Sequence, residues 1–468
     1  MRTRNTLATL ATAGALLVAL TVSAFGDGRL RLIIETDAGG DPDDEQSLVR
    51  FLLYANEWDI EGIIANRPVA RPGENHNTER RGLGIVRQLL NAYGECWTNL
   101  VRHDARFPTK DDLWKHTVAG YDDSDEAVRL LIAALDKSDP RPLWYSDWGS
   151  DRGAATNNLK RALDRVARER GPEGYARFKS KLRLSSSDKF GEHTAHLTPP
   201  FALWVNTFEP ALEGRAWYHR FSALTARAGG FDLARDVLAG HGPLGALYPT
   251  NTSRWAKEGD STTFLYLVPT GMNDPGDPTW GSWAGRYGLN TNYPGKPYYW
   301  ASQSDTWQGA TNRDNTLARW AADLQNDFRA RLDWCVKPVN EANHPPRAAL
   351  EGSSSQEVLR IQARAGSHVR LNASTSIDPD GQKLDFEWFV YPESSTYRGR
   401  VTLDDTNSPI AALRIPEDAA GQNIHVIVAV RDAGQPPLTR CRRAIIEVSP
   451  GRTPGTRGDA ASGATSRF

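Results

Sequence analysis

Asp37, Asp41, Asp43 and Asp44 fall together in the segment TDAGGDPDDEQSLVR, among Gly39, Gly40 and Pro42. Carboxylates held this close repel one another, so their ionised forms are costly unless a cation neutralises them or a pKa is displaced. Oxygen-only side chains suit a hard cation, Ca2+ before Mg2+, because Ca2+ accepts several carboxylates in a flexible shell. Aspartate also favours turns and helix N-caps, but a cap uses one carboxylate and leaves the other three without a role.

The elements on either side place these carboxylates. Leu32 to Ile34 form a short apolar run that reads as a buried strand, and Leu48, Phe51 and Leu52 share one face of a helix that follows. The aspartates therefore sit where a strand ends and a helix begins, the edge at which open α/β sheets bind ligands. The pattern repeats: a strand over 59–65, a helix over 77–92, a helix over 126–135 and a strand over 143–145. Such alternation predicts a mainly parallel sheet flanked by helices. A second small, polar turn, SDWGSDRGAATNNLKRAL, joins the 143–145 strand to another helix. Further strands are expected over 182–184, 201–206 and 263–268, helical structure over 223–239, and a helix over 317–334. The 263–268 run leads to a turn with Asn273, Asp274 and Asp277. Residues 280–307 then interleave Trp280, Trp283, Tyr287, Tyr293, Tyr298, Tyr299, Trp300 and Trp307 with Gly and Pro, which predicts a long ordered loop against the carboxylate edge. Aromatic faces there could stack on a sugar or a base, or seal a core. His116, His196, His219 and His241 fall in no recognisable motif.

Beyond residue 336 the pattern changes. Residues 337–349 carry Pro338, Pro345 and Pro346 and read as a linker; 350–449 show short alternating runs separated by turns such as Asp378-Pro379-Asp380-Gly381, which predicts an all-β sandwich with Trp388 in its core. This unit is expected to fold alone, and the Gly- and Ser-rich residues 450–468 to be a disordered tail. At the other end, Arg2, Arg4, an apolar run from Leu7 to Val22 and Val22-Ser23-Ala24 read as a signal peptide over 1–24, leaving a first domain over 25–336 and a secreted or periplasmic product. No later segment is apolar enough to span a membrane. A net charge of -1 and no basic, aromatic-laced patch argue against binding a nucleic-acid polymer. The three cysteines allow one internal disulfide, expected between Cys96 and Cys335 because Cys441 falls in the second domain.

The stretch from Ile33 to Ala65 resembles the N-terminal signature of the inosine-uridine nucleoside hydrolase superfamily, a strand followed by Asp-x-Gly-x-Asp-Asp and a helix. It is most similar to a secreted bacterial branch described as cellulose-binding. In this chain Asp41 and Pro42 intervene before Asp43 and Asp44; counting back from the helix selects Asp43 and Asp44, and Asp41 stays an alternative. The resemblance implies a nucleoside-hydrolase-like α/β domain followed by an immunoglobulin-like sandwich, since 376–389 is similar to the polycystic-kidney-disease modules of secreted carbohydrate-active proteins. It implies Ca2+ held by Asp37, by Asp41 or Asp44, by the backbone carbonyl of Thr156 in TNNLKRAL and by Asp274. Asp37 would be the general base on a Ca2+-bound water, and Asp43 would bind ribose hydroxyls. Where the superfamily has His-Asp-Pro, this chain has Asn273-Asp274-Pro275; Asn273 could contact a substrate but cannot donate a proton as an imidazolium does. Two functions follow: hydrolysis of the N-glycosidic bond of a nucleoside-type substrate, or non-catalytic binding of cellulose or another polysaccharide, with Trp283 and Trp300 contacting the sugar. A paired-carboxylate glycoside hydrolase is a third, decided by carboxylate separation.

Overall fold

A computed structural model describes residues 28–40, 42–72, 78–149, 157–186, 203–206, 217–250 and 257–451, with side chains of 217–219 excepted. The expected signal peptide, Asp41, Thr156, His196, the side chain of His219 and residues 452–468 of the tail lie outside the described residues.

The first part alternates strands and helices: β1 (Leu30–Thr36), α1 (Asp43–Leu53), β2 (Trp58–Ala65), α2 (Gly82–His103), α3 (Lys110–Lys115), β3 (Thr117–Ala119), α4 (Glu126–Asp136), β4 (Leu143–Asp147), α5 (Asn158–Ser180), β5 (Leu182–Ser186) and β6 (Leu203–Asn206). After α6 (Trp217–Thr225), α7 (Gly242–Ala246) and α8 (Ser261–Leu265), β7 (Gly288–Leu289) and β8 (Tyr298–Trp300) complete one sheet in the order β3-β2-β1-β4-β5-β6-β8-β7. Every neighbouring pair is parallel except β7 with β8. Leu32, Ile33 and Ile34 of β1 are fully buried because helices cover both faces, which is why the strand reads as a continuous apolar run and not as an alternation. β1 pairs with β2 on one side and β4 on the other, so Asp37 leaves the centre of the sheet at its carboxyl edge.

Three local expectations are corrected. The run expected as a strand over 263–268 is instead the short helix α8. Its threonines explain this: Thr262 and Thr263 donate their hydroxyls back to the carbonyls of Gly259 and Asp260, and β6 pairs directly with β8, leaving no place for the run in the sheet. The helical reading of 223–239 breaks after Thr225, where Gly229 takes a φ of +62°. The helix over 317–334 is two, α9 (Asn315–Ala318) and α10 (Ala321–Trp334), separated at Arg319 and Trp320.

After an antiparallel pair of short strands, β9 (Asp305–Trp307) and β10 (Ala310–Asn312), the sandwich forms as expected. The sheet β11-β17-β16-β13, from β11 (Leu359–Arg364), β13 (Asp385–Val390), β16 (Asn423–Arg431) and β17 (Thr439–Ser449), faces β12-β15-β14, from β12 (His368–Asn372), β14 (Thr402–Asp404) and β15 (Ile410–Arg414). Trp388 is buried in its core and donates its indole N–H to the Ser408 carbonyl at 2.8 Å.

The sandwich does not hang on a free tether. Tyr391, Ile427, Ala429 and Cys441 belong to the same apolar cluster as Leu48 and Phe51 of α1. Arg440 pairs with Asp327 of α10 at 2.6 Å, and Arg443 donates to the Met272 and Trp280 carbonyls at 2.6 and 2.7 Å. Within the linker, Asn343 and His344 are buried: Asn343 donates to Asp432, and His344 bonds His103 of α2 and Asp380 of the Asp-Pro-Asp-Gly turn. Residues 337–349 are therefore an ordered clamp between two packed bodies.

Candidate carboxylate site at the sheet edge

Pro42 leads into α1, so Asp43 and Asp44 occupy its first turn, where the exposed N–H groups of a helix favour negative charge. Asp44 is 2% exposed and accepts from the Thr36 hydroxyl at 2.5 Å and from the Asp37 backbone N–H at 3.0 Å. These bonds fasten the start of α1 to the end of β1. Asp37 itself is buried and receives the Arg67 guanidinium on Oδ2 at 2.8 Å. Glycines pack on both sides of its carboxylate: a Cβ at Gly149 would stand 3.0 Å from Oδ1, and one at Gly40 3.0 Å from Oδ2.

The third carboxylate comes from far along the chain. Asp260 precedes α8 and is buried, and oxygens of Asp43, Asp44 and Asp260 lie within 4.8 Å of one another. Burial, then the charges of Asp260, Asp37 and Asp43, holds the Asp44 carboxyl well above its usual range. Three buried carboxylates so close fit one hard cation: each offers oxygen, none is soft, and a shared positive charge removes the mutual repulsion.

Asp260 is carried there by a buried strut. Arg50, two turns along α1 from Asp43, forks onto Glu258, with Nη2 at 3.0 Å from Oε1, and also donates to Gln325 of α10 at 2.7 Å. Glu258 further accepts from the Tyr248 and Ser261 hydroxyls, while Arg50 lies 3.7 Å over the Phe328 ring. On the far side, Ser146 of β4 donates to the Thr263 hydroxyl and Ser185 of β5 to the Thr263 carbonyl, 2.7 Å each. The Glu258-Gly259-Asp260 turn is thus pinned to α1, α10 and the ends of two strands.

Beneath the site, Glu35 is fully buried and accepts from the Tyr145 hydroxyl, Asn66 at 3.0 Å and Asn158 at 2.9 Å. Burial pushes its pKa up against these three donors. They tie together the ends of β2 and β4 and the start of α5, whose N-cap is Asn157, bonded to the Lys160 N–H.

The structure places Asp37, Asp43 and Asp44 at one sheet edge and sets Asp260 beside Asp43 and Asp44, a residue the sequence pattern does not single out. The signal is an acidic residue at the start of a small-residue run, hidden because the run reads as a strand. Asp274 is not part of the cluster; it is exposed, caps its own turn at Gly276, and neighbours Asp277 and the sandwich residues Arg360 and Arg443. Asn273 is buried, donating to the Tyr266 carbonyl at 3.0 Å and accepting from Thr270, so its side chain is consumed by the turn. Trp283 is 3% exposed in the main core with Arg440 over its ring, a sealed wall and not a stacking platform. Trp300 ends β8, is half-buried, and so stays at the carboxyl edge. His103, His116, His241, His344 and His425 are each engaged away from the carboxylates.

Beside the site, α2 and the turn after β3 border two shallow cavities of about 420 and 430 Å³ that share Glu79, Gly84 and Arg87. One reaches Arg81 and Tyr121, the other Gln88, Asn91 and Trp114. The Gly82 N–H at the start of α2 bonds the carbonyl of Arg67, the residue that holds Asp37.

Comparison with known proteins bears on both parts of the chain. Residues 31–287 match the family model described as cellulose-binding Sde182, nucleoside hydrolase-like domain, and residues 368–448 match that of the cellulose-binding protein Sde0182 C-terminal domain. A solved nucleoside hydrolase-related hypothetical protein from Saccharophagus degradans, described as associated with carbohydrate metabolism, is 31% identical, with a TM-score of 0.68 over 90% of this chain and 100% of that one. The PKD domain from KIAA 1837 protein is 18% identical over 20% of this chain and 85% of its own, and human CDH23 EC21-23 17% identical over 24% and 35%; their TM-scores of 0.15 and 0.17 carry no weight. No curated protein matches.

Proposed function

Starting from the fact that the chain belongs to the cellulose-binding, nucleoside hydrolase-like family, we propose that it is an exported hydrolase of glycosyl bonds, acting on an N-glycosyl, nucleoside-type substrate. The observation that carries this reading is the convergence of Asp260 with Asp43 and Asp44, brought together from opposite ends of the domain into one buried oxygen cluster beside Asp37. Like charges are gathered at this cost for a ligand, since a structural core would use apolar side chains there.

In this reading Asp44 and Asp260, with Asp43 at their side, hold Ca2+. Bound there, the cation would supply positive charge that acidifies water and offsets the carboxylates. Asp37 takes the proton of the attacking water. Arg67 aims Asp37 through their ion pair, and Gly40 and Gly149 leave no side chain of their own against its two oxygens. As water attacks the anomeric carbon, the C–N bond breaks and its electron pair leaves with the base, through a positively charged sugar that the surrounding carboxylates stabilise. Among the described residues no imidazole stands ready to protonate the leaving base: Asn273 is tied into its own turn and the five histidines above are engaged elsewhere.

The Asn at 273 favours a second reading, non-catalytic carbohydrate binding, in which the polar and aromatic groove along α2 takes a polysaccharide. One experiment separates the two: release of nitrophenol from a nitrophenyl riboside, and of base from inosine, with Ca2+ and with chelator, alongside co-sedimentation with insoluble cellulose. Calcium-dependent cleavage lost in Asp37→Asn supports hydrolysis. No turnover of either substrate, with protein retained on cellulose, replaces it by binding.

A further inference from the structure

Cys96 lies in α2, and Cys335 directly follows α10. Both are free thiols in this structure, both are buried in the same apolar cluster, and Asn99, one turn along α2 from Cys96, donates to the Cys335 carbonyl at 3.0 Å. A third backbone meets them: a Cβ on Gly242, whose φ is +75°, would stand 3.5 Å from Cys96 Sγ and 3.9 Å from Cys335 Cβ. Cys335 Sγ also contacts the Arg331 carbonyl at 3.8 Å. Cys441, on β17, is buried in the junction with the sandwich, with its N–H on the Thr270 carbonyl.

We propose that Cys96 and Cys335 are a cross-linking site: in an oxidising compartment they close into a disulfide that fastens α2 to the end of α10. The Asn99 bond and the shared approach to Gly242 show that α2 already meets the end of α10 at these two cysteines, so closing to an S–S length of about 2.05 Å calls on local adjustment and not on a rearrangement of the fold. The reaction begins at a thiolate, here that of Cys96 on α2. Its thiolate attacks a small-molecule or protein disulfide, expelling one thiol of the donor. Cys335, deprotonated, then attacks Cys96 Sγ and expels the second. The protein thiols lose two electrons and two protons, and the donor disulfide becomes two thiols. Because both sulfurs are sealed in the folded chain, the exchange takes place while α2 and α10 are still coming together, and the finished bond is shielded from reductant. The link closes a long loop from α2 to the end of α10, and α2 begins against Arg67.

The test is thiol counting on the full chain refolded with a mixture of oxidised and reduced glutathione, then denatured, alkylated and mapped by mass spectrometry. We expect one alkylatable thiol, Cys441, and a Cys96–Cys335 linked peptide that reductant releases. The Cys441→Ser variant should keep the link, and reduction before heating should lower its unfolding midpoint by several degrees. Three alkylatable thiols after refolding, or a link that includes Cys441, overturns the assignment. Refolding without a disulfide donor is the control, and there all three thiols should alkylate.

Discussion

Replacing Asp260 by Asn should move the stability of the metal-free and the calcium-loaded protein in opposite directions. In the wild type, oxygens of Asp43, Asp44 and Asp260 lie within 4.8 Å. Two ionised carboxylates at that limit repel by about 3.5 kcal/mol at an effective dielectric of about 20. Asp260→Asn removes two such pairs, but Asp44 is already pushed toward its neutral form, so part of that repulsion is relieved beforehand. A net gain of about 1–3 kcal/mol is expected without metal, a rise of a few degrees in the midpoint. With Ca2+ at about a thousand times its dissociation constant, the wild type should gain about 4.1 kcal/mol and the variant almost nothing, leaving the loaded variant about 1–3 kcal/mol below the loaded wild type. Thermal unfolding with chelator and with Ca2+, backed by calorimetric titration, reads both signs. Asp274→Asn is the control, since Asp274 lies outside the cluster. If Asp260→Asn keeps the full calcium shift while Asp274→Asn loses it, the site has been drawn in the wrong place.

Four further outcomes are expected. Asp37→Asn should lower cleavage of a nitrophenyl riboside by about 10²–10⁴-fold with calcium affinity largely kept, read by steady-state rates and titration. Arg50→Ala, which leaves the Glu258 carboxylate buried without its partner, should cost about 3–5 kcal/mol in urea unfolding and weaken calcium binding through displaced Asp260. Burial opposes ionisation of Asp327, yet Arg440 and Arg331 outweigh it and hold its pKa down to about 2. The folded value lies below the unfolded one of about 3.9, so this carboxylate contributes about 2 kcal/mol above pH 4, lost as pH falls toward 2. Urea midpoints between pH 5 and 2.5 should show that loss, and Asp327→Asn should flatten the slope. The isolated fragment 350–449 should give a β-type circular dichroism spectrum but self-associate in sedimentation, because Tyr391, Ile427, Ala429 and Cys441 lose their cover.

What the sequence determines by itself is local. The run Leu32 to Ile34, the following aspartates and the face of Leu48, Phe51 and Leu52 specify strand, turn and helix through contacts a few residues apart, and chain order then carries Asp37, Asp43 and Asp44 to one sheet edge. The sandwich was legible for the same reason: alternation along each strand records which face is buried, and Trp388 marks the core. Tertiary structure decides what depends on partners distant in the chain. Asp260 joins the carboxylates because Arg50 grips Glu258 and because Ser146 and Ser185 receive Thr263, and no pattern within residues 258–268 encodes those partners. An apolar run that opens on two threonines becomes a helix where the sheet has no gap for it and its own hydroxyls close the turn. The aromatic loop shows the same division: composition revealed its payload of rings, but only the docked sandwich, with Arg440 and Arg443 over Trp283 and Trp280, decides that those rings face a protein and not a sugar. Burial is a property of two surfaces meeting, and a sequence writes down one surface at a time.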